Sequence, residues 1–100
     1  MGPARYIWID DSLKPASEGV LPFISAAVQY GFSVFEGIRC YATDNGPAIF
    51  RLDEHVERLF DSAHIVGFRE LPVNAEQVKN AINKTIAVQI PRADLNPRKR

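Results

Sequence analysis

The sequence predicts an α+β domain, a small antiparallel sheet with two helices packed on it, and three observations carry that prediction. Residues Tyr30 to Tyr41 alternate in character with a period of two, as a strand with two unlike faces does. Thr43-Asp44-Asn45-Gly46-Pro47 follows as a hairpin turn cluster, since Asn-Gly tolerates the positive φ angles of tight turns. Two later stretches, opening at Asp53 and at Asn74, place apolar residues at helical spacing. A run of strands followed by a run of helices segregates the helices onto the sheet.

Taken in order, Tyr6-Ile7-Trp8-Ile9 is a short run of strand formers closed by the turn cluster Asp10-Asp11-Ser12, and it is expected to pair in the same sheet. Residues 13–22 read as irregular, punctuated by Pro15, Gly19 and Pro22. Phe23 to Gln29 suits a brief helix that delivers Tyr30-Gly31 to the central strand, with Gly31 free to take an unusual backbone angle. In that strand Val34, Glu36, Ile38, Cys40 and Ala42 form a mostly apolar face suited to a core. The other face carries Ser33, Phe35, Gly37, Arg39 and Tyr41: a ring, a missing side chain, a guanidinium and a phenol in a row. Such a row offers an apolar wall, a space, an anion binder and a hydrogen-bond donor. The same residues also fill ordinary half-buried strands, where an outer arginine is simply solvated. A glycine in mid-strand, here Gly37, marks a bulge or the close approach of a ligand.

Beyond the turn, Ala48-Ile49-Phe50-Arg51 returns antiparallel, with Pro47 at a first strand position where a missing donor does little harm. Asp53 is placed to cap a helix running to about Val66. Val56, Leu59, Phe60, Ala63 and Val66 form its apolar stripe, Arg58 lies off that stripe, and Gly67 is the stop. Asn74 and Gln77 stand in capping-box positions for a second helix, which buries Val78, Ala81, Ile82, Thr85 and Ile86 and ends at Pro91. Residues 91–100 show neither period and read as a solvated basic tail.

Composition narrows the classes. One hundred residues with 46% hydrophobic content suit one small domain burying roughly 60–68% of its unfolded surface, and not a two-domain enzyme. Twelve basic and twelve acidic residues cancel, so no global field points to nucleic acid or an anionic membrane. The balance is uneven, with eight basic and eleven acidic groups in residues 1–90 against four and one in 91–100. Cys40 is the single cysteine, which excludes an internal disulfide and suits a buried thiol. No signal peptide is visible, and the longest apolar stretch, Val20 to Val28, is broken by Pro22 and Ser25, so a cytoplasmic protein is expected. His55 and His64 do not share a helix face, and with Cys40 and Asp53 they make no metal spacing. Glu36 falls on the core face and needs a partner, for which Arg51 on the adjacent strand is the expected one.

Three blocks carry a family resemblance: Tyr30-Gly31-x-x-Val34-Phe35-Glu36-Gly37-Ile38-Arg39-x-Tyr41, then Gly46-Pro47-Ala48-Ile49-Phe50-Arg51-Leu52, then Glu54-His55-x-x-Arg58-Leu59-x-x-Ser62-Ala63. In this order and spacing they resemble the start of branched-chain amino acid aminotransferases, which are class IV (fold type IV) pyridoxal-phosphate enzymes. The resemblance covers roughly residues 6–90. It implies the N-terminal small domain of the D-amino acid aminotransferase-like fold over residues 1–90, with the catalytic large domain absent. The implied activity moves an amino group between leucine, isoleucine or valine and 2-oxoglutarate, with pyridoxal 5'-phosphate as cofactor, in a homodimer or higher oligomer. Small-molecule amino acids and 2-oxo acids are then the partners, with no nucleic acid and no membrane.

The resemblance also implies roles for single residues. Arg58 contacts the cofactor phosphate, a task that suits planar paired donors with a permanent charge. The plainer alternative is a surface arginine paired with Glu54 or Asp61 on its own helix. Tyr30, Phe35, Gly37 and Arg39 match positions on the substrate side of the site, and Tyr30 reaches the neighbouring subunit's pocket. His55 has a supporting role near Arg58. The lysine that bonds covalently to the cofactor belongs to the second domain, and Lys14, Lys79, Lys84 and Lys99 match no such context, so the fragment is expected to be inactive alone. Another class IV enzyme, such as D-amino acid aminotransferase or aminodeoxychorismate lyase, and a non-catalytic interaction or vestigial module of the same fold are the alternatives.

Overall fold

A computed structural model describes residues 4–89. Strand β1 (Tyr6–Ile9) pairs antiparallel with β2 (Ser12–Pro15), and β3 (Cys40–Thr43) with β4 (Gly46–Ile49); between the hairpins lie a 3-10 turn at Ala16–Glu18 and a short helix, α1 (Ala26–Tyr30). Helices α2 (Leu52–Ile65) and α3 (Ala75–Gln89) follow. The class is α+β, as expected, but the β residues form two two-stranded sheets and not one. β1 does not join the sheet that follows residue 30. It folds back onto β2, within the stretch read as irregular, because the two-residue connection Asp10-Asp11 closes a local hairpin at far less entropic cost than a distant pairing. Asp10 takes the left-handed conformation the turn requires, at φ 57, and its carbonyl accepts from the Trp8 indole N–H at 3.2 Å.

The long strand expected from Tyr30 to Tyr41 is a paired strand only from Cys40 onward, with the Arg39 carbonyl just before it accepting the Phe50 N–H at 2.8 Å. Tyr30 ends α1, where Gly31 at φ 65 is its left-handed C-cap, and Ser25 Oγ accepts the Val28 N–H at the other end. Between them and β3 the chain is extended, and its burial alternates residue by residue: Val34, Glu36 and Ile38 are half-buried, while Ser33, Phe35, Gly37 and Arg39 are exposed. The backbone of residues 34–38 makes no hydrogen bond to another described residue. Side chains hold the segment instead. The Phe32 ring lies 4.4 Å from that of Phe68, and Val34 shares a cavity of about 320 Å³ with Leu59, Phe60 and Val78.

At the second hairpin Gly46 alone takes the positive φ, at 104°, while Asp44 and Asn45 keep ordinary angles; Thr43 Oγ donates to the Gly46 carbonyl at 2.6 Å. β4 ends at Ile49, two residues earlier than expected for the return strand. Arg51, at φ 54, is the N-cap position of α2. Asp53 makes no capping bond. It sits in the first turn, where a carboxylate suits the helix dipole, and reaches Lys79 of α3 at 2.9 Å. Gly67, at φ 103, ends α2 as expected, its N–H donating to the His64 carbonyl at 3.1 Å. The capping box of α3 is reciprocal: the Gln77 N–H donates to Asn74 Oδ1 at 2.9 Å and the Asn74 N–H to Gln77 Oε1 at 2.8 Å. Pro91 and the basic tail lie outside the described residues.

Val56 (1% exposed) and Ala63 (4%), both on α2, are the fully buried apolar side chains among the described residues. Leu59, Phe60, Val78, Ala81, Ile82, Thr85 and Ile86 are half-buried beside them, while Val66, expected in the stripe, is exposed. This core is thinner than the composition suggests, and Phe23, Ile24, Tyr30, Phe35 and Ile65 all face outward. α3 is tied to the first hairpin by Gln89, whose carboxamide accepts the Arg5 N–H at 3.2 Å and donates to the Tyr6 carbonyl. No described helix is long and apolar enough to cross a membrane.

Candidate functional site

The residues with the most definite chemistry meet where the extended segment crosses α2. His55 and Arg58 are three apart and so project from one face of that helix. The even-numbered face of the segment delivers Glu36 to both of them. Arg58 donates from Nε to Glu36 Oε2 at 2.8 Å and from Nη2 to Oε1 at 2.7 Å, a bidentate pairing along one edge of the guanidinium. His55 Nδ1 lies 2.7 Å from the same Oε1. The Glu36 side chain is only 7% exposed, so these contacts meet the requirement that a shielded carboxylate be paired. Arg58 remains 66% exposed, with its far edge toward solvent.

The pairing differs from the partner expected for Glu36 and from the plainer alternative for Arg58. Arg51 does not serve Glu36, because it leaves the strand as a left-handed helix cap and bonds instead to Glu54 at 2.9 Å on the surface. Arg58 takes neither Glu54 nor Asp61. The hydrogen bonds from Arg58, and after them the one from His55, hold the Glu36 carboxyl down at about 2, against an ordinary 4.5. An ionised carboxylate can only accept, so His55 Nδ1 carries the proton in this contact.

This fixes a pH dependence. With the folded pKa below the unfolded one, the stabilisation from Glu36 is fully present above about pH 4.5 and is lost as pH falls toward about 2. The melting temperature of the chain is expected to exceed that of Glu36→Gln at neutral pH, with the gap closing between those two values. A gap that persists unchanged at pH 2 would contradict the ion-pair assignment.

On the opposite face of the segment Phe35 (89% exposed), Gly37 and Arg39 stand in a row, and the Arg39 side chain has no ion-pair partner among the described residues. A Cβ added to Gly37 would meet nothing within 4 Å, so no packing in the described chain demands glycine there. Tyr30 (80% exposed) belongs to α1, and no hydrogen bond, ion pair or ring contact joins it to Phe35, Gly37, Arg39 or Arg58. The Tyr41 ring stands edge-on to Phe50, 6.2 Å between centroids. The fold thus ties Arg58 through Glu36 to the inner face of the segment, opposite Phe35, Gly37 and Arg39, and leaves Tyr30 apart.

Two of the described lysines are engaged elsewhere. Lys79 pairs with Asp53 at 2.9 Å and Glu76 at 3.5 Å, and the Asp53 hydrogen bond pushes its pKa up, the reverse of what a nucleophilic amine needs. Lys84 lies over the Trp8 ring, 5.8 Å from its centroid, and Lys14 is in β2. Lys99 is outside the described residues. Cys40 is half-buried, not fully, and burial pushes its thiol pKa up. No group of three His, Cys, Asp or Glu that could hold a metal ion occurs among the described residues.

Comparison with known proteins adds the following. The sequence profile of the amino-transferase class IV family matches residues 33–98. A branched-chain-amino-acid aminotransferase of Pseudomonas aeruginosa is 38% identical over 80 residues, covering 80% of this chain and 26% of that protein. One from Escherichia coli (strain K12) is 46% identical over 65 residues, covering 65% and 21%. Among solved structures, the T.th. branched-chain amino acid aminotransferase complexed with N-(5'-phosphopyridoxyl)-L-glutamate superposes with a TM-score of 0.79 at 43% identity, over 85% of this chain and 29% of that one. The branched-chain aminotransferase of Thermoproteus uzoniensis with norvaline gives 0.81 at 34% identity, over 90% and 30%. The chain therefore spans 26% and 21% of the length of the two curated relatives.

Proposed function

This chain belongs to the amino-transferase class IV family, and from that premise we propose that residues 1–90 are the N-terminal small domain of a branched-chain amino acid aminotransferase, in which Arg58 binds the phosphate of pyridoxal phosphate. The observation that carries the reading is the state of Arg58. Its Nε and Nη2 are held by Glu36 along one edge, while three of its five N–H groups are claimed by no described residue on a largely exposed side chain. A permanent charge with a free donor edge fits a phosphate. Pyridoxal phosphate, when bound, supplies the electron sink through which an amino group changes carriers. The part of this chain in that chemistry is to bind and orient. Arg58 anchors the anionic end, Phe35 offers apolar surface to an aliphatic side chain, Gly37 leaves room beside it, and Arg39 orients carboxylates.

The lysine that holds the cofactor covalently, and the larger domain that carries it, are assigned to the protein outside these residues. Two observations support this: Lys79 is ion-paired with Asp53 and Glu76, and Phe23, Ile24 and Phe35 present an apolar surface that the described residues leave exposed. Tyr30, exposed at the end of α1, is assigned to the pocket of a neighbouring subunit in a homodimer or larger oligomer. A cytoplasmic setting is part of the same reading, supported by the single cysteine.

Two assays test the reading. The protein at full length is expected to transfer the amino group of leucine, isoleucine or valine to 2-oxoglutarate. The 100-residue chain, mixed with pyridoxal phosphate and reduced with borohydride, is expected to yield no stoichiometric lysine adduct and no turnover. A single stoichiometric adduct on this chain, or a full-length protein that ignores all three amino acids, would overturn it.

A further inference from the structure

We infer that Glu36 is a positioning residue for Arg58: its carboxylate takes the Nε and Nη2 edge of the guanidinium and so turns the opposite edge toward a phosphate, while His55 holds the same carboxylate at Oε1. The inference rests on the reading of Arg58 as a phosphate ligand. An arginine in mid-helix with most of its side chain in solvent has many rotamers, and an anion that binds it must first select one. Two bonds of 2.8 and 2.7 Å from a single shielded carboxylate fix the plane and direction of the guanidinium before any ligand arrives. An unassisted carboxylate so close would also repel the phosphate. The His55 Nδ1–H, 2.7 Å from Oε1, draws on the same negative charge and leaves more of the Arg58 charge for the ligand.

Glu36 has a second consequence through its place in the chain. It stands between Phe35 and Gly37 in a segment whose backbone from 34 to 38 bonds to no other described residue. The tie to α2 therefore sets the position of the outer face as well as that of Arg58. One side chain couples the anion anchor to the substrate wall.

The test is a double-mutant cycle in the full-length protein, reading the dissociation constant of pyridoxal phosphate by absorbance beside the melting temperature of the apo form. Glu36→Gln is expected to weaken retention roughly tenfold, the scale on which partners that orient a ligand-binding group act at metal sites. Glu36→Asp, which keeps the charge on a shorter arm, is expected to recover part of the loss. In an Arg58→Ala background neither change is expected to weaken binding further, because there is no guanidinium left to orient. A purely structural Glu36 would instead cost the same factor in both backgrounds, and that additivity overturns the inference. Should Glu36→Gln fail to fold, Glu36→Asp carries the same comparison. Unaltered retention in the Glu36 variants, with weakened retention in Arg58→Ala, overturns the positioning role and leaves Arg58 as the phosphate ligand. Unaltered retention in Arg58→Ala overturns that ligand assignment itself.

Discussion

Replacing Ile38 with aspartate is expected to unfold the chain, whereas Phe35→Ala is expected to leave its melting temperature almost unchanged. The two residues are three apart in one extended segment, yet they fall on opposite faces of it, Ile38 half-buried and Phe35 89% exposed. Ile38→Asp removes apolar contact and puts an unpaired carboxylate in its place, at a cost of roughly 3–5 kcal/mol. A domain whose described core holds two fully buried apolar residues has little margin against that, since small domains are stable by only about 5 kcal/mol at the lower end. Phe35 loses almost nothing to solvent on truncation, so its effect stays within about 0.5 kcal/mol. Thermal melts of both variants decide the matter. Equal destabilisation would mean that the two faces are not distinct, and Phe35 would then belong to the core and not to a ligand wall.

The alternation behind this prediction was legible in the sequence because side chains on extended backbone alternate whether or not a neighbouring strand is present. Hydrogen bonding was not legible in the same way. Residues 34–38 look like a strand in composition, but strand pairing is a property of two segments, and the described chain contains no partner for this one. The first hairpin was hidden for the converse reason. Ser12-Leu13-Lys14-Pro15 is a weak strand on its own, and its pairing with Tyr6–Ile9 comes from the two-residue turn between them. Helix ends were written in local chemistry, so the Asn74–Gln77 box and the Gly67 stop could be read directly. The start of α2 could not, because Arg51 occupies a left-handed position with no side-chain cap.

At the site the same division holds. That Glu36 needs a partner followed from its place on the inner face, whereas for Arg58 position alone offered a surface pairing with Glu54 or Asp61, and the anion role came from the family resemblance. That each answers the other did not follow, since they are 22 residues apart and meet only where the segment crosses the helix. The signal available was that His55 and Arg58, at a spacing of three, present two donors side by side on α2, which matches a carboxylate with two oxygens better than the lone Arg51 does.

In the full-length protein, Arg58→Ala is expected to weaken retention of pyridoxal phosphate by roughly ten- to a hundredfold, because it removes charge-assisted bonds to an anion and not a solvated surface pair. Arg58→Lys is expected to restore only part of that. An ammonium can face the phosphate or Glu36, but it has no two edges with which to serve both, and a point charge cannot reproduce the planar fork. Both variants should fold, since Arg58 stands off the stripe that carries Val56 and Ala63, although each should melt somewhat earlier because Glu36 is left with His55 alone. The order of effects separates the roles. If Arg58 only braced Glu36, lysine and alanine would differ mainly in the apo melt, and the cofactor constant would stay that of the wild type. Absorbance titration of cofactor release, run beside melts of the apo forms, measures both. An unchanged constant in Arg58→Ala would assign this residue to the stability of the crossing between the extended segment and α2, and the phosphate would need another ligand.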